Sequence, residues 1–157
     1  MNINGIEDFE DELVEDLAWR KREMINLSFA VEAESTDLQK SVLVRAGISL
    51  LCAHWEGYIR HAANAYIMLI SSQKIKVKEL KDNFLTLKMK KKISQVSVSK
   101  KTSVQQTLVQ EIIGIMETDF TIQYIDKPGK RIINTDSNLN YELFQEILQV
   151  LDIDNIY

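Results

Sequence analysis

Two histidines, His54 and His61, are the side chains in this sequence best suited to moving a proton near neutral pH. They stand seven residues apart, so on a helix they project from one face, two turns from each other. Imidazole pairs can also bind zinc, but a metal site needs a third or fourth ligand at a workable spacing. Glu56 is the nearest candidate, and a metalloenzyme built on His54, His61 and Glu56 is the weakest of the readings considered. Structural histidines, or histidines close to a nucleic-acid or active-site surface, fit the pattern better. Glu56 and Arg60 are four apart in the favourable acid-before-base order. The single cysteine, Cys52, has no disulfide partner and reads as a small core residue rather than a nucleophile. A second group lies further on: Lys88, Lys90, Lys91 and Lys92 form a basic cluster that either faces solvent or binds phosphate. No exposed aromatic residues are interleaved with them, so the cluster offers no stacking platform for bases.

The element that must position the histidines is the proline-free run from Ser41 to Ile70. Val44, Ile48, Leu51, Trp55, Ile59, Ala62, Tyr66 and Leu69 recur at threes and fours, an apolar stripe that predicts one long helix. Arg45, Glu56 and Arg60 interrupt the run, so no window of about 18 residues is free of charge, and a buried helix of a bundle is expected rather than a membrane span. Gly47, Leu50, His54, Gly57 and His61 share a second line. Each glycine costs roughly 1 kcal/mol inside a helix. Two on one face therefore imply close approach there, by another helix of the chain or by a second subunit.

The remaining elements pack around this one. Residues 6 to 33 predict a first helix, with Arg20-Lys21-Arg22 on its polar side. Any of Ser35, Thr36 and Asp37 could cap the central helix. Residues 76 to 95 predict a basic helix, with Asp82-Asn83 as an alternative start. Ser103 is the expected cap of a helix from Val104 to Met116, and a last helix is expected from Tyr141 to Leu151. Two short β-like runs around Pro128-Gly129 suggest a small β-hairpin near 120–134. The fold class expected is all-α: an antiparallel bundle of about five helices around one long central helix.

The chain has 157 residues, which suits one domain spanning 1–157, and 45% of them are hydrophobic, enough for a core. The net charge of −4 conceals an asymmetry: residues 1–34 carry ten acids and three bases, residues 74–101 ten lysines and two acids. The two segments are expected to attract each other, or the basic one to meet an anionic partner. The start has no basic or apolar leader, which makes the cytoplasm the default location. No Gly-rich phosphate loop, Cys/His metal spacing, Ser-His-Asp pattern or repeat is present, and neither a metal nor another cofactor is expected.

Ala53-His54-Trp55-Glu56-Gly57-Tyr58 with Tyr66 two turns on, and Leu80 to Leu85 leading into the lysine run, resemble a bacterial branch of the HEPN superfamily. These are HEPN-like nucleases of toxin–antitoxin and anti-phage systems. The resemblance implies a helical bundle, a homodimer, RNA as substrate or ligand, an antitoxin or other partner protein, and metal-independent cleavage. It makes His54, Trp55, Glu56, Gly57, Arg60 and His61 the lining of a cleft or a dimer seam. The catalytic signature of such enzymes, an arginine four to six residues before a histidine on the final helix, is missing: Arg45 lies nine before His54, Arg60 adjoins His61, and no histidine follows Ile70. No catalytic residue is therefore assigned. A domain shortened at its C-terminus, or one that keeps the fold without the chemistry, is expected; the alternative is a non-catalytic helical dimer that binds protein or RNA.

Overall fold

The computed structural model describes residues 3–122, 132, 133, 135 and 139–153. Five α-helices follow in order: α1 Ile6–Ala33, α2 Asp37–Ser72, α3 Asp82–Ser97, α4 Thr102–Ile115 and α5 Tyr141–Val150. A short 3-10 turn, Val77–Glu79, precedes α3. Most of the hairpin expected near 120–134 lies outside the described residues; among those described there is one isolated antiparallel bridge, Lys76 with Asp119, and no sheet.

α1 starts and stops where its apolar periodicity does. The central helix is longer than its apolar run, because Asp37–Lys40 and Ser71–Ser72 continue it. Thr36 occupies the N-cap position without a side-chain capping bond. The basic segment divides at Asp82-Asn83, the alternative start, and the 3-10 turn takes up the residues before it. Lys101, not Ser103, precedes the first turn of α4. α5 is closed by the Asn140 side chain, whose Oδ1 accepts from the Leu143 N–H at 2.8 Å.

The core lies at one end of α2. Ala63 and Ile67 pack with Val77, Phe84, Phe120, Ile133, Ile147 and Leu151. Phe84 and Phe120 meet edge to face, 5.6 Å between centroids. The link from α2 to α3 is pinned to the exit of α4: the Val77 N–H donates to Thr118 O at 3.0 Å and the Phe120 N–H to Ile75 O at 2.7 Å. Asn64, buried on α2, donates to Arg60 O at 2.7 Å and accepts from the Ile133 N–H at 3.3 Å, which ties residue 133 to the helix.

The other half of α2 has a different setting. α1 runs antiparallel along it. Val44, Ile48, Leu51 and Trp55, the first half of the expected core stripe, are exposed. Cys52 is also exposed, not a core residue. The glycine line meets α1: a Cβ on Gly47 would come within 3.0 Å of Leu27 Cδ2, and one on Gly57 within 2.6 Å of Arg20 Nη1. Close approach is thus satisfied within the chain. Among the described residues, no helix is long and apolar enough to cross a membrane.

Candidate functional site

The six residues of the α2 motif divide among three surroundings. His54, Gly57 and His61 face α1. Glu56 and Arg60 face residue 135. Trp55 lies half-exposed against Phe144 of α5, with ring centroids 5.6 Å apart.

The α1-facing group is built around Arg20. From Arg20-Lys21-Arg22, expected on the polar side, Arg20 turns inward, because it shares a helical line with Leu13, Leu17, Met24 and Leu27. Its guanidinium is held by Asp16 one turn back, Nε to Oδ2 at 2.7 Å and Nη2 to Oδ1 at 3.0 Å, a two-point charge-assisted contact. Nη1 reaches His54 O at 3.3 Å and lies 3.5 Å from His54 Nδ1. Gly57 leaves the space for it. The Trp19 ring lies under the guanidinium, 4.5 Å from its carbon, meets the His54 imidazole edge to face with centroids 5.3 Å apart, and donates to Asp16 Oδ1 at 3.1 Å.

Each histidine also meets a carboxylate of α1. Glu23 Oε2 lies 2.9 Å from His54 Nε2, and Glu12 Oε1 lies 3.1 Å from His61 Nε2. These contacts are oblique, and neither ring nitrogen has a well-aligned hydrogen-bond partner. His54 is buried; His61 opens onto a cleft of about 500 Å³ lined by Glu12, Glu15, Asp16, Trp19 and Arg22. Burial pushes the Asp16 carboxyl up, but hydrogen bonds from Arg20 and Trp19, with the charges of His61 and Arg20, outweigh it and hold its pKa below the ordinary value.

On the opposite side of α2, Thr135 donates to Glu56 Oε1 at 2.6 Å, and Arg60 Nη1 reaches the same oxygen at 3.3 Å and Thr135 Oγ1 at 3.4 Å. Glu56 therefore points away from both histidines, and the three do not assemble as a metal site. Among the described residues, no three of His, Cys, Asp and Glu are grouped to hold a metal ion.

The lysine cluster is likewise divided. Lys88 folds back to donate to Asp119 O at 2.8 Å beside the Phe120 ring, and burial, opposed by the Asp119 charge, lowers its pKa. Lys92 pairs with Glu111 of α4. Lys90 and Lys91 remain on the exposed side, Lys90 at a cavity of about 410 Å³ between α3 and α5 that also holds Leu87, Ile133, Leu143, Glu146 and Ile147. Of the two expectations for the basic segment, attraction to the acidic first helix is not what its described ion pairs show. Its ion pairs go to later acids: Lys76 and Lys78 to Glu117, Lys81 to Asp152, and Lys92 to Glu111.

Sequence reasoning missed Arg20, Asn64 and Thr135. Arg20 carried a usable signal, its place on the apolar line of α1 with Asp16 one turn before it. Thr135 carried none, because a contact 79 residues from Glu56 leaves no trace in local spacing.

Comparison with curated proteins returns no match, nor does comparison with solved structures. The sequence model of one family, RiboL-PSP-HEPN, matches residues 15–156, from within α1 to beyond α5. With its all-α architecture and the α2 motif in place, this chain belongs to the RiboL-PSP-HEPN family.

Proposed function

We propose that this chain is the HEPN domain of a toxin–antitoxin or phage-defence system, that it acts as a dimer by binding a partner protein or RNA, and that it does not itself cut RNA. The observation that carries this reading is the seam between α1 and α2. Both histidines face carboxylates there, and Arg20, which contacts His54, is already engaged by Asp16. A phosphodiester entering the cleft at His61 would meet Glu12, Glu15 and Asp16 against Arg22. That balance repels a polyanion instead of stabilising charge on its phosphate. The defence setting rests on the resemblance of Ala53–Tyr58 to that bacterial branch.

The test is cleavage of a fluorescently labelled single-stranded RNA at neutral pH by the wild type and by the His54→Ala/His61→Ala double variant. Both are expected to give background rates. A wild-type rate lost in the double variant would refute the non-catalytic reading.

RNA binding without cleavage has its own support in Lys90 and Lys91, which remain on the exposed side of α3. With only two such lysines in the cluster, binding is expected to be weak and to vanish as salt rises. Removing both (Lys90→Ala/Lys91→Ala) is expected to reduce the salt slope by about 2. An unchanged slope excludes this face.

A further inference from the structure

Beyond Met89, α3 and α4 leave the core together. No residue from Lys90 to Ile115 belongs to the core cluster, and α4 buries none of its own. The two helices run antiparallel, with Lys92 paired to Glu111 and Lys88 reaching Asp119 O beyond the end of α4. This hairpin has its own charge. From Asn83 to Gln110 there are six lysines and no acid, although the whole chain holds 19 bases against 23 acids. Lys90, Lys91, Lys100 and Lys101 are exposed. Of the acids at the base of the hairpin, Glu111 is engaged by Lys92, and Glu117 by Lys76 and Lys78. The same hairpin exposes apolar side chains. Val98, in the turn between the helices, is 84% exposed, Ile113 67%, Val109 54% and Ile93 39%. Ile93 and Ile112 each come one residue after a member of the Lys92–Glu111 pair that joins the helices. In two right-handed helices packed antiparallel, positions turned in the same sense from the mutual contact lie on the same side of the pair. One side of the hairpin therefore presents Ile93 and Ile112, and Val109 and Ile113 extend the strip at helical spacing. Lys90, just before Ile93's turn, borders it on α3, and Lys100 and Lys101 border it at the tip.

We infer that this strip on the α3–α4 hairpin is the docking site for an acidic amphipathic helix of a partner protein. The inference rests on the partner-protein half of the reading above and gives that partner its place and its chemistry. Charge selects the occupant, because the apolar strip is bordered by lysines and holds no carboxylate. A helix with apolar residues at i, i+3, i+4 and i+7 covers such a strip, and acids on its flanks meet Lys90, Lys100 and Lys101. The acid-rich start of α1 repels the same helix, which adds discrimination. RNA would meet the lysines, but the hairpin has no exposed aromatic ring on which bases could stack. A lipid surface is held by a broad face rich in Trp, Phe and Leu, which a strip of Val and Ile does not supply. From Gln105 to Met116 the strip is about 17 Å long, three turns of a docked helix. That is a small interface, so binding is expected in the micromolar range.

The experiment is fluorescence anisotropy with the full chain and a labelled helical peptide of about 18 residues, leucines on one face and glutamates on its flanks. A scrambled peptide of the same composition is the control. The amphipathic peptide is expected to bind in the micromolar range and the scrambled one at least about 10-fold more weakly. Lys100→Glu/Lys101→Glu and Val109→Ser/Ile113→Ser, all at exposed positions, should keep the wild-type circular dichroism. Each pair should weaken peptide binding at least about 10-fold. A wild type that binds neither peptide overturns the proposal. So does equal affinity for the two peptides, which would leave only net charge, and so does binding indifferent to both variants. Capture of phosphatidylserine vesicles or of single-stranded RNA, lost in Val109→Ser/Ile113→Ser and with no peptide bound, would overturn it in favour of that ligand. Every variant keeps Lys90 and Lys91, and cleavage does not enter, so this proposal and the reading above fail separately.

Discussion

The two halves of α2 share one spacing of apolar residues and meet different fates. From Ile59 to Ile70 the helix is enclosed by the 3-10 turn, α3, α5 and residues 120 and 133. From Asp37 to Trp55 it has α1 along one side and leaves Val44, Ile48 and Leu51 exposed. Periodicity marks a face that seeks cover, but it does not say whether the cover comes from the same chain. Polar groups follow the same division. In the enclosed half, Asn64 is buried and doubly bonded. Toward the hairpin, Arg20 and His54 lie in a seam of carboxylates that narrows to a glycine, and the seam runs on to His61 beside Glu12.

The sharpest way to break this comparison is to cut into the enclosed half. Phe120→Ala removes a fully buried ring and is expected to cost about 3–5 kcal/mol in urea unfolding. Next comes Arg20→Met, which leaves Asp16 in the seam without its partner. About 3 kcal/mol is expected, read in the same way. Gly57→Ala places a methyl where the Arg20 guanidinium sits and is expected to cost about 1–3 kcal/mol, with Gly57→Ala/Arg20→Met losing less than the sum of the two.

The Asp16 pair also has a pH signature. The Asp16 pKa is lower folded than its ordinary 3.8, so its contribution to stability is full above that value and is lost as the pH falls through the lower folded value. Between pH 5 and 2 (approximate limits of the usual carboxylate range), the wild type should lose more thermal stability than Asp16→Asn. Equal losses would remove Asp16 as a source of acid sensitivity. The smallest effect is expected from Ile48→Ala. At dilutions where the chain is monomeric it should change stability by less than about 0.5 kcal/mol, in contrast to Phe120→Ala.

Much of the fold was legible because helices announce themselves locally. The apolar spacing of Phe9 to Val31 gave α1, the run around Trp55 gave α2, and the last helix starts at the expected Tyr141, although the side chain that caps it, Asn140, was not singled out. The glycines correctly marked a close approach. Their neighbours were not legible: that Gly57 faces a guanidinium requires knowing the α1 register, which Arg20 sets only once the helices pair. The candidate site was less legible for the same reason. Adjacent residues such as Trp55, Glu56 and Gly57 point 100° apart and end in three environments. The lysine run likewise looked uniform, but Lys88 and Lys92 find Asp119 O and Glu111 across long stretches of chain.

The contrast between the halves of α2 is tested most directly by amide hydrogen exchange on the monomeric chain. Amides from Ile59 to Ile70 are expected to exchange only through global unfolding. Those from Leu43 to Leu51 should exchange through opening of the hairpin alone, at least about 100-fold faster. Equal protection in both halves would contradict the account, because α1 alone would then hold the exposed half as firmly as the core holds the other.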